Sequence, residues 1–63
     1  MSTHNFSPGE LVRILNVPDQ PKWIRDLAGQ AGLVVEAYNE GGFAVAIGGT
    51  IHRGIHRLDM ERM

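Results

Sequence analysis

Cysteine is absent from this 63-residue chain, which removes disulfide staples, thiolate metal ligands and a thiol nucleophile at once. That absence fits a reducing, cytoplasmic setting. An excess of one charge is lacking too. Six Lys or Arg stand against seven Asp or Glu, for a formal net charge of -1. Such a balance supplies no overall basic field to draw nucleic acid and no acidic tail. No apolar run approaches the ~20 residues of a membrane helix. The opening Met1 to Ser7 is too polar for a secretory leader. No membrane partner is expected. Aromatic residues are few, one Trp, one Tyr and two Phe, so each one is informative.

Glycine, by contrast, is plentiful. Eight of 63 residues is nearly twice the usual ~7% share, and the positions are ordered. Gly41-Gly42 and Gly48-Gly49 are doublets, Gly29 and Gly32 lie three apart, and Gly9 and Gly54 stand alone. Between them run short stretches of strand-forming residues at 11–17, 33–38, 43–47 and 51–58. Short apolar runs punctuated by turn residues predict a small all-β domain. The reading is one domain over residues 6–63, after a flexible N-terminus at 1–5.

Alternation orients the runs. Val12 and Ile14 share one face of the first strand, with Leu11, Arg13 and Leu15 on the other. Arg13 marks the wetter side, so Val12 and Ile14 are assigned to the core. The loop that follows is expected to cover Leu11 and Leu15. Pro18 and Pro21 exclude a central strand from that loop. Trp23 to Ala28 suits a single helical turn, with Ile24 and Leu27 pinning it to the core. The hairpin loop is placed at Asn39 to Gly42. Phe43, Val45 and Ile47 alternate as core residues with Ala44 and Ala46, whose small side chains leave room for a neighbour. Ile55 and Leu58 are assigned to the core, with a tight turn between them.

Few residues suggest chemistry. His52 and His56 are four apart, so in an extended strand they point the same way about 13 Å from one another. One metal ion cannot bridge that gap, although a bulge at Gly54 would shorten it. Ser2, Thr3, Ser7 and Thr50 lie in the terminus and loops, outside any nucleophile elbow. Gly48-Gly49-Thr50 lacks the Lys and the helix of a phosphate loop. The acids Glu10, Asp19, Asp26, Glu36, Glu40, Asp59 and Glu61 are scattered, and are read as solvated surface. No catalytic residue, metal ligand or cofactor is assigned.

Two spacings carry a resemblance. Phe6-x-x-Gly9-Glu10-x-Val12-Arg13-Ile14 is similar to the opening strand of SH3-like barrels, and Gly29-x-x-Gly32-x-Val34-x-x-Ala37 to their second strand. The latter also resembles the core of the KOW motif of ribosomal and transcription-elongation proteins. Ile55-His56-Arg57-Leu58 looks like the short turn and last strand that close such barrels. The Pro-containing insertion and Trp23-Ile24-Arg25 before Gly29 resemble the SH3-like domain of the nitrile hydratase β subunit, grouped with accessory subunits of photosystems and of ferredoxin–thioredoxin reductase. The resemblance implies a small SH3-like barrel of about five antiparallel strands, with a long loop between strands 1 and 2. It also implies a non-enzymatic accessory module docked on a partner protein.

On that reading the loop from Pro18 to Gln30 sets Trp23, flanked by Lys22 and Arg25, against an acidic or apolar partner surface. Trp is enriched at binding hot spots. Glu36 and Tyr38 complete the rim. A KOW-like binder of RNA or DNA is the alternative, with Arg53, His56 and Arg57 of the last strand on the phosphates. Self-association into a homodimer is the third reading, through the face that carries Leu11, Leu15, Leu33 and Val35.

Overall fold

The computed structural model describes residues 6–38 and 41–63. The expected flexible segment 1–5 and the Asn39-Glu40 part of the hairpin loop lie outside the described residues. Among the described residues the chain forms β1 (Leu11–Ile14), the single turn α1 (Lys22–Arg25), β2 (Ala31–Ala37), β3 (Gly42–Ile47), β4 (Thr50–His56), a 3-10 turn at Arg57–Asp59, and β5 (Met60–Arg62). The strands make one antiparallel sheet in the order β4-β3-β2-β1-β5. This is the all-β, five-stranded arrangement read from the sequence, with the long connection between β1 and β2. Hydrogen bonds do not close it into a barrel, and β4 and β5 remain its two edges. No helix among the described residues is long and apolar enough to cross a membrane.

Alternation fixes the inner face. Val12, Ile14, Val34, Phe43, Val45, Ile47 and Ile55 are all buried there, as strand periodicity requires. Phe6 folds back before β1 and meets Phe43 edge to face, with centroids 5.6 Å apart. The register opposes Val12 to Gly32, and Val45 and Ile47 lean across that glycine. A β-carbon on Gly32 would come within 2.6 Å of Val45 and 2.7 Å of Ile47. Glycine is therefore demanded by close approach.

The long connection is an excursion whose ends remain paired. Gly29 N–H donates to the Ile14 carbonyl at 2.7 Å, and Ile14 N–H to the Gln30 carbonyl at 2.9 Å. Within it α1 buries Ile24 in the core and sets Leu27 against it, as expected. Gln20 is buried and fixes the loop. Its amide donates to the Leu15 carbonyl at 2.7 Å and to Asp59 Oδ1 at 3.2 Å, and its oxygen accepts from Val17 N–H at 3.3 Å.

Three expectations are corrected here. Leu58 is exposed rather than core, because the strand ends at His56 and the 3-10 turn swings Leu58 outward while turning Asp59 and Met60 inward. Asp59 is accordingly buried, not solvated, and it is satisfied by Gln20. Leu11 is exposed and Leu15 only half-buried, because the loop packs on the inner face and leaves the outer one bare.

Candidate functional site: the outer face of the sheet

Cross-strand register places one row of apolar side chains across the outer face. Leu11 opposes Leu33, Leu33 opposes Ala46, and Ala46 opposes Ile51. Met63 extends the row, since its N–H donates to the Leu11 carbonyl at 3.2 Å, one residue past the Val12–Arg62 pair. The row therefore runs from Met63, one residue past β5, across the other four strands as Leu11, Leu33, Ala46 and Ile51. Leu11 is 57% exposed, Leu33 40%, Ile51 49% and Met63 60%. Single exposed apolar residues are ordinary, whereas the largest contiguous patch of a small domain is often where it binds.

Charged rows flank it. On one side Glu61 opposes Arg13, which opposes Ala31. Arg13 and Glu61 form a solvent-exposed ion pair at 3.7 Å. On the other side Glu36 opposes Ala44, which opposes Arg53. Ala44 is buried although it lies on the outer face, with a long side chain in register on either hand. Glu36 and Arg53 are exposed and make no ion pair among the described residues. Beyond them Tyr38 lies against Gly42, whose register partner is His56.

Two bulges create this grouping. The pairing shifts between Val34 and Glu36 on β2, and on β4 the extra residue is Gly54, at φ 89°. A bulge reverses the facing of all that follows. His52 therefore lies with the inner-face residue Val45, whereas His56 lies on the outer side with Gly42. The expectation that the two histidines point the same way is overturned by that bulge. His56 Nδ1 also accepts the Leu58 N–H at 3.2 Å, which caps the 3-10 turn.

The side chains singled out in the sequence are thereby sorted anew. Glu36 and Tyr38 share the outer face with Arg53 and His56. Lys22, Trp23 and Arg25 stand apart on α1. Trp23 is 44% exposed and stacks on His52, with centroids 6.5 Å apart and planes 21° apart. Lys22 Nζ pairs with Asp26 at 3.0 Å, and Arg25 donates to the Gln20 carbonyl at 3.4 Å. Arg57 leaves the strand altogether. Its guanidinium lies against Gly41, in the space a β-carbon would need. The apolar row was legible only in part. Leu11, Leu33 and Ala46 were assigned to a second face, but their alignment needed the register, and Met63 and Ile51 carried no signal of their own.

Elsewhere, one charge contact ties the chain's start to its last strand. Arg62 Nε donates to Glu10 Oε2 at 2.7 Å and lies over the Phe6 ring, 5.3 Å from its centroid. That hydrogen bond, helped by the Ser7 N–H on Oε1, holds the Glu10 carboxyl below the usual range and Arg62 above its own. Among the described residues there is no pocket, and no group of three or more His, Cys, Asp or Glu gathers as a metal site would. No protein-family model matches the chain, and no curated protein or solved structure matches it.

Proposed function

We propose that this domain is a non-catalytic docking module that binds a protein through the outer face of its sheet. The observation that carries the reading is the exposed row of Met63, Leu11, Leu33, Ala46 and Ile51. Contiguous apolar surface of this kind marks an interaction site in a small folded domain. The row has the anatomy of an interface, with an apolar centre rimmed by Arg13, Glu61, Glu36 and Arg53. Tyr38 adds an aromatic at the rim, a residue type favoured in such contacts.

This reading moves the centre of binding away from α1. Trp23, Lys22 and Arg25 each already hold an intramolecular partner, so a new contact there would first have to displace one. The test is capture from a lysate of the source cells. Tagged wild type, Leu11→Lys with Leu33→Lys, and Trp23→Ala serve as baits, each first checked for native circular dichroism. The outer-face reading expects a captured protein to be lost from the double lysine variant and kept by Trp23→Ala. The reverse pattern would return the site to α1. Capture unaffected by either change would sink both.

A further inference from the structure

We infer that the occupant of the outer face is a second copy of this chain. The inference rests on the docking reading and names its partner. Three features of the face point to self-complementarity.

The first is the placement of charge. Arg53 sits at the β4 corner, one row to one side of the apolar row, and Glu61 at the β5 corner, one row to the other. The two corners lie diagonally across Leu33 and have opposite sign. Rotating a copy by a half-turn about an axis in the plane of contact, perpendicular to that diagonal, exchanges the corners. Each Arg53 then faces the partner's Glu61, whose exposed 3.7 Å contact with its own Arg13 is weak enough to be exchanged, and the contact is made twice, as a two-fold interface requires. A partner of one charge sign would find no such match, because each flank carries both signs.

The second is relief. Under that rotation the two apolar rows cross obliquely at Leu33. Around Leu33 lie Ala31, Ala44 and Ala46. These three methyl groups are lower than the leucines, so each Leu11 has a shallow place to enter on the facing copy.

The third is the state of the edge. A second copy could instead extend the sheet by pairing β4 with β4. The bulge at Gly54 breaks the regularity of that edge, a device that discourages strand addition. The Trp23–His52 stack stands beside it.

Size sets the strength. Five strands at about 4.8 Å and three rows at about 7 Å give a patch on the order of 500 Å². Stable dimers bury about 800 Å² on each partner. This face is roughly three-fifths of that, and about an eighth of the 4113 Å² surface of the chain. A weak dimer follows, forming at high micromolar to millimolar concentration.

Sedimentation equilibrium on the full chain, from micromolar to millimolar, tests this. The expected result is a concentration-dependent monomer–dimer equilibrium that Leu11→Lys with Leu33→Lys abolishes. Arg53→Glu alone and Glu61→Arg alone should each weaken it about tenfold, and the double charge swap should restore it to within about threefold. The charge variants are exposed substitutions, so they keep the test valid if the lysine pair fails to fold. A monomer throughout overturns the second-copy inference and leaves the docking reading to the capture experiment. A dimer untouched by the charge variants also overturns it. Retained dimerisation in a folded lysine pair would overturn the use of this face as well.

Discussion

The Trp23 indole lies nearly parallel to the His52 imidazole, 6.5 Å between centroids. The contact joins α1 to β4, the edge strand farthest from β1 in the sheet. Ile24, one residue on, fills the core beneath. The stack is thus part of what keeps the long connection seated on the inner face.

Trp23→Ala should therefore destabilise the fold by about 1–2 kcal/mol, from lost area and the lost ring contact. For a domain this small that is a fall of roughly 5–15 °C in melting temperature. His52→Ala should cost less, since histidine buries less apolar area here. A double-mutant cycle read by thermal melts should give a coupling of about 0.5–1 kcal/mol. Strict additivity would mean the two rings are neighbours without interacting.

Gln20 and Asp59 form the other tie between the long connection and the end of the sheet. Gln20→Leu leaves the Leu15 carbonyl, the Val17 N–H and Asp59 Oδ1 without this partner. An unsatisfied buried polar group costs about 1–3 kcal/mol, so urea denaturation should show a loss of at least about 2 kcal/mol. Asp59→Asn keeps an acceptor for the Gln20 amide and should cost under about 1 kcal/mol. Equal losses from the two variants would show that the charge of Asp59, rather than its hydrogen bond, matters.

These ties mark the boundary of what the sequence disclosed. Val12, Ile14, Phe43, Val45 and Ile47 were legible as core because strict alternation leaves one consistent face. Ile24 and Leu27 were legible because a three-residue spacing suits one turn of helix. Leu58 was misread for lack of any signal of the 3-10 turn that rotates it outward. Asp59 was misread because its partner lies 39 positions away. The facing of His52 and His56 hinged on one inserted residue, Gly54. The glycine itself was visible, but only the register shows that it carries a bulge. The apolar row likewise depends on cross-strand pairing, which no local pattern contains.

Gly32 offers a test of packing alone. Its φ lies outside the left-handed region, so alanine meets no backbone strain there. The added β-carbon would still strike the Val45 and Ile47 side chains and come within 2.9 Å of the Ala46 carbonyl oxygen. Overpacking of this kind costs about 1–3 kcal/mol. Chemical denaturation of Gly32→Ala should show that loss, with broadened methyl signals for Val45 and Ile47. An unchanged midpoint would mean that β2 and β3 separate freely at this pair.

Acid should weaken the Glu10–Arg62 contact. The Arg62 hydrogen bond, then the Ser7 N–H, holds the Glu10 carboxyl below its ordinary value. A depressed carboxyl stabilises the folded state fully above the unfolded pKa, about 4.3 for glutamate. That contribution is lost as pH falls through the lower folded value. Glu10→Gln removes the titration, so its stability should fall less steeply than wild type below about pH 4.5. The contact is exposed, so added salt should narrow the difference between the two proteins. Amide exchange should report the loss locally, at the Ser7 N–H that donates to Glu10 Oε1. Parallel pH profiles for wild type and Glu10→Gln would show that Glu10 titrates alike folded and unfolded. Arg62 would then act through its cation–π contact with Phe6 rather than through Glu10.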